Sequence, residues 1–189
     1  MYATNEWDKL KKVIVGVADY ATMPPVEKDT RTINYAGVKP KKKLFGFGDE
    51  EYLPIKVGPF PEQVIEEANE DLEVFVRLLQ GEGVEVVRPK REPVKYYNYC
   101  PRDSVFVHSN LALATPMPLR SRRGEWKAMG EHLPNIVDMP CQYIGDLYNE
   151  DCIGNPDVLA LNEVTPAFDA ANTLRANNDI LYLVSNSGN

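Results

Sequence analysis

Within the run "CPRDSVFVHSN", residues 100 to 110, Cys100, Arg102, Asp103 and His108 fall inside nine positions. A cysteine and a histidine could form a thiolate–imidazole pair, the usual device for activating sulfur as a nucleophile, but only if the fold brings them together. If residues 104 to 108 form a strand, His108 lies about 17 Å along it from residue 103, which separates the two groups. Cys100 then reads as a small buried residue and His108 as a surface or edge residue.

Asp103 follows Pro101-Arg102 and precedes an apolar run, where loops commonly hold binding groups over a rigid scaffold. Its plainer reading is a turn cap or a salt bridge to Arg102. Asp169 in "FDAANTLR" has the same two readings: an ordinary loop residue, or a carboxylate that orients a histidine or binds a cation. Arg120, Arg122 and Arg123 in "LRSRRGEW" could clamp a substrate carboxylate, or form a solvated helix start. Two histidines 24 positions apart and three scattered cysteines (Cys100, Cys141, Cys152) match no zinc spacing, and no calcium-loop pattern is present. No metal and no cofactor are expected.

These groups need a scaffold, and the chain of 189 residues with 43% hydrophobic content supplies one. Val13 to Val17 reads as a buried strand, and residues 20 to 60, rich in Pro, Gly and Lys, as a long excursion with little regular structure. Val64, Ile65, Ala68, Leu72, Phe75, Val76 and Leu79 fall on one helical stripe opened by Pro61, predicting an amphipathic helix of about five turns. Val84 to Val87 follows as a strand. The order helix, "GEG", strand is the reverse of a phosphate-cradling loop. Val105–Val107 and Leu111–Ala114 read as a hairpin turning at Ser109-Asn110. A helix is expected from about Arg123 to His132, with strands at Ile136–Pro140, Val158–Leu161 and Ile180–Val184. The pattern predicts one α/β or α+β domain over 1–189 with a mixed sheet.

Charge and composition exclude some partners. With 28 acidic and 21 basic residues the net charge is -7, which repels nucleic acid and anionic membrane. The basic run Lys39–Lys43 reads as a solvated loop. An odd cysteine count suits a reducing compartment, and no apolar stretch reaches the roughly 20 residues that span a bilayer, so a soluble cytoplasmic protein is expected.

The strings "NEWDKLKKVIVG", "CPRDSVFVHSNLALATPMPLRSRRGEW", "DLYNED" and "PAFDAANTLRANNDI" together resemble the amidinotransferases, most closely those that act on glycine. The resemblance implies the pentein fold of the guanidino-group-modifying superfamily: a five-bladed α/β propeller of ββαβ modules, here incomplete. It also implies transfer of the amidino group of L-arginine to an amine such as glycine through an amidino-cysteine. Asp103 matches the aspartate of the family's "PRD" motif, which binds the guanidino group. Asp169 matches the "FDAA" aspartate, which orients the catalytic histidine. Asn172 stands where the family has an acidic residue. The family's "H-x-D" histidine and late nucleophilic cysteine match no residue here, so the chain resembles the N-terminal half of a member and is expected to be inactive alone. A complementing C-terminal chain or a homodimer would supply the rest. The rival readings are a non-catalytic remnant that binds arginine or a partner chain, and a hydrolase resembling the arginine deiminases.

Overall fold

Short β-rich segments with one long amphipathic helix can bury their apolar faces only by pairing across the chain, and the computed structural model shows that pairing. It describes residues 2–35, 57–93, 96–139 and 147–189. Along the chain run β1 (Lys12–Ile14), β2 (Thr22–Met23), α1 (Lys28–Tyr35), β3 (Gly58–Pro59), α2 (Glu62–Gly81) and β4 (Glu85–Val87). They are followed by α3 (Pro101–Ser104), β5 (Val105–His108), β6 (Leu111–Ala114), β7 (Ile136–Asp138), β8 (Thr173–Ala176) and β9 (Asp179–Tyr182). The result is a mixed α/β fold.

The predicted helix is α2, and it carries the chain from β1 to β4, which pair in parallel with Val13 opposite Val86. Parallel neighbours need such a crossover. Its apolar stripe is only partly covered: Val76 is buried, while Val64 and Phe75 are about half exposed. The hairpin β5–β6 also forms as expected, with Val105 opposite Ala114, and β7 adds in parallel beside β6. Ser109 turns it with φ 52°.

Three expectations are corrected and one strand is added. The excursion over 20–60 contains α1 and the paired stubs β2 and β3, while residues 36–56, with the Lys39–Lys43 run, lie outside the described residues. Residues 125–132 form a 3-10 helix that starts at Glu125, because Gly124 at φ 79° breaks the turn before it. Val158–Leu161 makes only one bridge, Leu161 to Tyr148, and is not a strand. β8, which no apolar run announced, pairs antiparallel with β9 and places Arg175 opposite Ile180.

Two apolar clusters hold these pieces. Val105, Val107, Ala112 and Met129 pack with Ile14, Trp126, Leu133 and Ile136; Leu147, Tyr148, Leu161 and Ala167 pack with Ile33. The N-terminal segment ties the two hairpins together. Ser109 N–H donates to Ala3 O, Asn177 N–H to Thr4 O, and Arg175 reaches Glu6 through Nε and Nη2 at 2.8 and 2.7 Å. Among the described residues no helix is long and apolar enough to cross a membrane.

Candidate functional site

Proline at the first position of α3 fixes the backbone for a single helical turn, and β5 begins directly after it. That turn aims Asp103 inward. The second carboxylate is placed by a similar device: Asp169 caps the 3-10 turn Ala170–Asn172, its Oδ1 accepting from Ala171 N–H at 2.7 Å, and β8 begins directly after. Arg102 staples the two turns together by donating to Ala170 O at 2.8 Å and Thr173 O at 2.7 Å. The salt bridge of Asp103 to Arg102 is therefore not the one that forms, because Arg102 faces those carbonyls.

Beneath both turns runs Thr115–Pro118. Thr115 N–H and Oγ1 donate to Ser104 O, Phe168 N–H donates to Pro116 O at 3.1 Å, and Met117 is buried. The segment carrying Tyr99 and Cys100 lies against Gly16, where a Cβ would fall 2.4 Å from Tyr99 O. Only a glycine permits that approach.

Arg122 stands at the centre of the cluster. Its Nη1 donates to Asp103 Oδ2, Nε to Glu125 Oε1 and Oε2 at 3.0 and 3.1 Å, and Nη2 to Glu125 Oε2 at 2.8 Å and Cys100 O at 3.0 Å. Tyr97 covers its guanidinium at 5.2 Å. These bonds hold the Arg122 guanidinium against Asp103, Glu125 and Cys100 O. Arg120 does not join this cluster: its Nη1 lies 3.7 Å from Glu27 and its guanidinium sits over the Tyr148 ring. Arg123 Nε donates to Met117 O.

The field inside the cluster follows from burial. Desolvation and then the charge of Asp103 push the Asp169 carboxyl up to about 6. Glu125 is 2% exposed, and burial pushes its carboxyl up against the pull of Arg122, which these carboxylates hold firmly in its charged form. Burial, then Asp103, also push the Cys100 thiol up. A thiol so shifted is a poor nucleophile. Cys152 is likewise pushed up by burial, and Cys141 lies outside the described residues.

His108 has no part in the cluster. The strand begins only at Val105, so α3 shortens the spacing assumed from sequence, yet His108 Nε2 is engaged with Asn177 O at 2.8 Å. Asn172, buried in the second turn, accepts from Ser185 Oγ at 3.2 Å and Ser187 Oγ at 3.4 Å and so holds the segment after β9. Glu125 was missed by sequence reasoning. Its only signal was an acid three residues after Arg122, a spacing that puts two side chains on one face of a helical turn. Among the described residues no group of three or more His, Cys, Asp or Glu could hold a metal.

Two carboxylates near enough for the charge of Asp103 to act on Asp169 suit a planar cation whose N–H groups fork toward both oxygens of a carboxylate. No protein-family model matches the chain. Inosamine-phosphate amidinotransferase 1 of Streptomyces griseus is 33% identical over 205 residues, covering 98% of this chain and 55% of that protein. A solved structure of inosamine-phosphate amidinotransferase from the same organism superposes with a TM-score of 0.80 at 32% identity, covering 100% of this chain and 56% of that one. Mitochondrial glycine amidinotransferase of Gallus gallus is 28% identical, covering 93% of this chain and 46% of that protein. The chain spans about half the length of the curated relatives it matches. By sequence and by fold it is similar to the amidinotransferases over about half of their length.

Proposed function

We propose that this chain carries the guanidinium-binding half of an amidino-transfer centre. Asp103 accepts N–H bonds from the amidino group of a donor such as L-arginine, and Asp169 orients the imidazole that moves protons in the reaction. The observation that carries this reading is the staple made by Arg102, which brings the two motif turns, remote in sequence, into contact. Arg122 and Glu125 hold Asp103 in place behind the substrate.

In the reaction implied by the resemblance, a thiolate attacks the guanidinium carbon, ornithine leaves, and the amidino group passes from sulfur to an amine. The chain's described thiols do not suit that step: Cys100 and Cys152 are both pushed up, and Cys152 Sγ faces Thr32 O. Nucleophile and imidazole are therefore assigned to polypeptide corresponding to the other half of the relatives, and the chain alone is inactive. The two units of turn plus hairpin, α3 with β5–β6 and Ala170–Asn172 with β8–β9, are read as blades of an incomplete propeller. The second hairpin supports this, since Leu174 and Leu181 lie opposite one another and, like Ile180, Leu183 and Val184, are at least half exposed, leaving apolar surface for the complementing polypeptide. The relatives' names give different acceptors, inosamine phosphate, lysine and glycine, so the acceptor is assigned only as an amine.

The test is ornithine release from L-arginine, with the chain alone and with a polypeptide matching the remaining half of a relative. No turnover alone and turnover on mixing is the expected result. Turnover by the chain alone sinks the assignment of the nucleophile elsewhere. Arginine binding that no complementing polypeptide converts into turnover supports the reading as a non-catalytic binding module, which the raised thiols favour.

A further inference from the structure

We infer that β1 is an edge that receives one more strand, laid antiparallel along the side away from β4, and that a segment of the complementing polypeptide supplies it. The inference rests on the part of the proposed function that assigns a second polypeptide to the other half of the relatives. β1 and β4 form a sheet of only two parallel strands, whereas parallel strands ordinarily lie inside larger, covered sheets. Glu85 N–H donates to Lys11 O at 2.8 Å and Val15 N–H to Val87 O at 3.1 Å, so residues 11, 13 and 15 turn their backbone groups toward β4. By alternation the N–H and C=O of Lys12 and Ile14 point the other way, and among the described residues no backbone group pairs with them. A row of unmade backbone bonds is a template for another strand.

The chain also contains such an edge in its filled form. β6 and β7 run parallel, joined through the 3-10 helix Glu125–His132, and β5 lies antiparallel on the other side of β6, with His108 opposite Leu111 and Phe106 opposite Leu113. β1, α2 and β4 repeat the parallel pair and its crossover, but among the described residues the counterpart of β5 is missing. The segment before β1 does not provide it, because Ala3 bridges Ser109 and Asn5 bridges Ala176. A groove of about 800 Å³ lies beside β1, with Val13, Ile14, Val105, Val107, Met129 and Leu133 among its walls. An extended segment with apolar side chains at alternate positions fits both the groove and the edge. A helix keeps its backbone bonds to itself and would leave Lys12 and Ile14 unpaired. Arg175 of β8 lines the same groove, so it is continuous with the exposed second hairpin, the surface already assigned to the complementing polypeptide.

The experiment is amide hydrogen exchange read by NMR, on the chain alone and mixed with a polypeptide matching the rest of inosamine-phosphate amidinotransferase 1 of Streptomyces griseus, of which this chain covers 55%. Alone, the Lys12 and Ile14 amides should exchange about tenfold or more faster than those of Val13 and Val15. On mixing they should slow to match, and contacts between α-protons across the new pair should mark it as antiparallel. Lys12→Pro removes an N–H from the free edge and none from the β4 ladder, so it should weaken association by about tenfold relative to Lys12→Ala, which controls for the lost ion pair with Glu85. Should Lys12→Pro fail to fold, the exchange of the unaltered chain decides alone. Protection of Lys12 and Ile14 in the chain alone, protection that grows with chain concentration and so comes from a second copy, parallel pairing, or failure of the two polypeptides to associate overturns the inference. A complex that releases ornithine while both amides exchange freely removes only this edge site. A complex that protects them and releases none removes only the amidino-transfer reading.

Discussion

Arg122 and Glu125 form a buried ion pair three residues apart, with side chains 6% and 2% exposed, and the same guanidinium then reaches Asp103. The pair is the rear wall of the candidate site. Its role is geometric, since a buried ion pair adds little stability over an apolar pair of similar size.

Removing one member is a different matter. Arg122→Leu strands the Glu125 carboxylate and should cost about 3–5 kcal/mol of stability in urea denaturation. The double variant Arg122→Leu, Glu125→Leu should recover most of that loss while arginine binding stays weak. Recovery of binding along with stability would show that Asp103 needs no positioning partner.

Asp103 is 24% exposed at its side chain, so it can meet a ligand without unfolding its turn. Asp103→Asn keeps the shape and removes the charge. A hydrogen bond to a charged group is worth about 1.5–3 kcal/mol, so arginine binding measured by calorimetry should fall roughly 10- to 100-fold. The unfolding midpoint should move little beside that of Arg122→Leu. Unchanged affinity would remove Asp103 from the site.

Asp169 gives the site a pH dependence. Its carboxyl lies at about 6 in the folded chain against 3.8 for the ordinary group, so the folded state holds this proton more tightly than the unfolded state does. The stability it contributes is present below the unfolded value and is lost as pH rises through about 6. Asp169→Asn should flatten that part of the stability profile between about pH 4 and 6. Guanidinium binding should run the opposite way, weakening as pH falls below about 6, because a protonated Asp169 no longer attracts a cation. Calorimetry at several pH values checks both signs.

Much of this arrangement was legible in the sequence, for identifiable reasons. The stripe from Val64 to Leu79 has helical period, and the residues flanking Ser109-Asn110 are apolar on both sides, so α2 and the first hairpin could be read directly. Asp103 and Asp169 could be named from their motifs. Their meeting could not, because Arg102 makes it through backbone carbonyls, which carry no residue identity. β8 was hidden because Thr173–Ala176 is only four residues long with one large apolar side chain, Leu174; Arg175 stays in the strand by pairing with Glu6 and donating to Val107 O. The type of Arg122 suits a substrate role, and only the positions of Glu125 and Cys100 O show which of its donors are engaged within the fold.

Gly16 tests how closely the site depends on the scaffold. A Cβ there would meet Tyr99 O, C and Cα at 2.4 to 2.5 Å, all backbone atoms that no side-chain rotation can move aside. Gly16→Ala should therefore push the Tyr99–Cys100 segment away from β1. Overpacking of this kind costs about 1–3 kcal/mol. Arginine binding should weaken with it, since Cys100 O is one of the acceptors that fix Arg122. Val76→Ala, in the buried side of α2, should lower stability yet leave binding intact, which separates local displacement from a general loss of stability.

Asn172 stands where the resemblance implies an acidic residue, and that position can be tested. It is 9% exposed, its N–H donates to Asp169 O, and its side-chain oxygen accepts from Ser185 and Ser187. Asn172→Asp would keep an oxygen for both hydroxyls and add a negative charge close to Asp169, whose carboxyl is already pushed up by burial and by Asp103. Two carboxylates that share a desolvated site resist double ionisation, so the Asp169 value should rise above about 6 in the variant. Stability should then fall toward high pH, where both groups must ionise, by about 1–3 kcal/mol at neutral pH. A bound guanidinium would relieve the repulsion, so arginine should protect Asn172→Asp against unfolding more than it protects the chain itself. Titration of the Asp169 carboxyl by NMR, with and without arginine, reads both effects. An unchanged Asp169 titration would mean that position 172 does not couple to the site, and that asparagine there is a packing choice which leaves the carboxylate chemistry untouched.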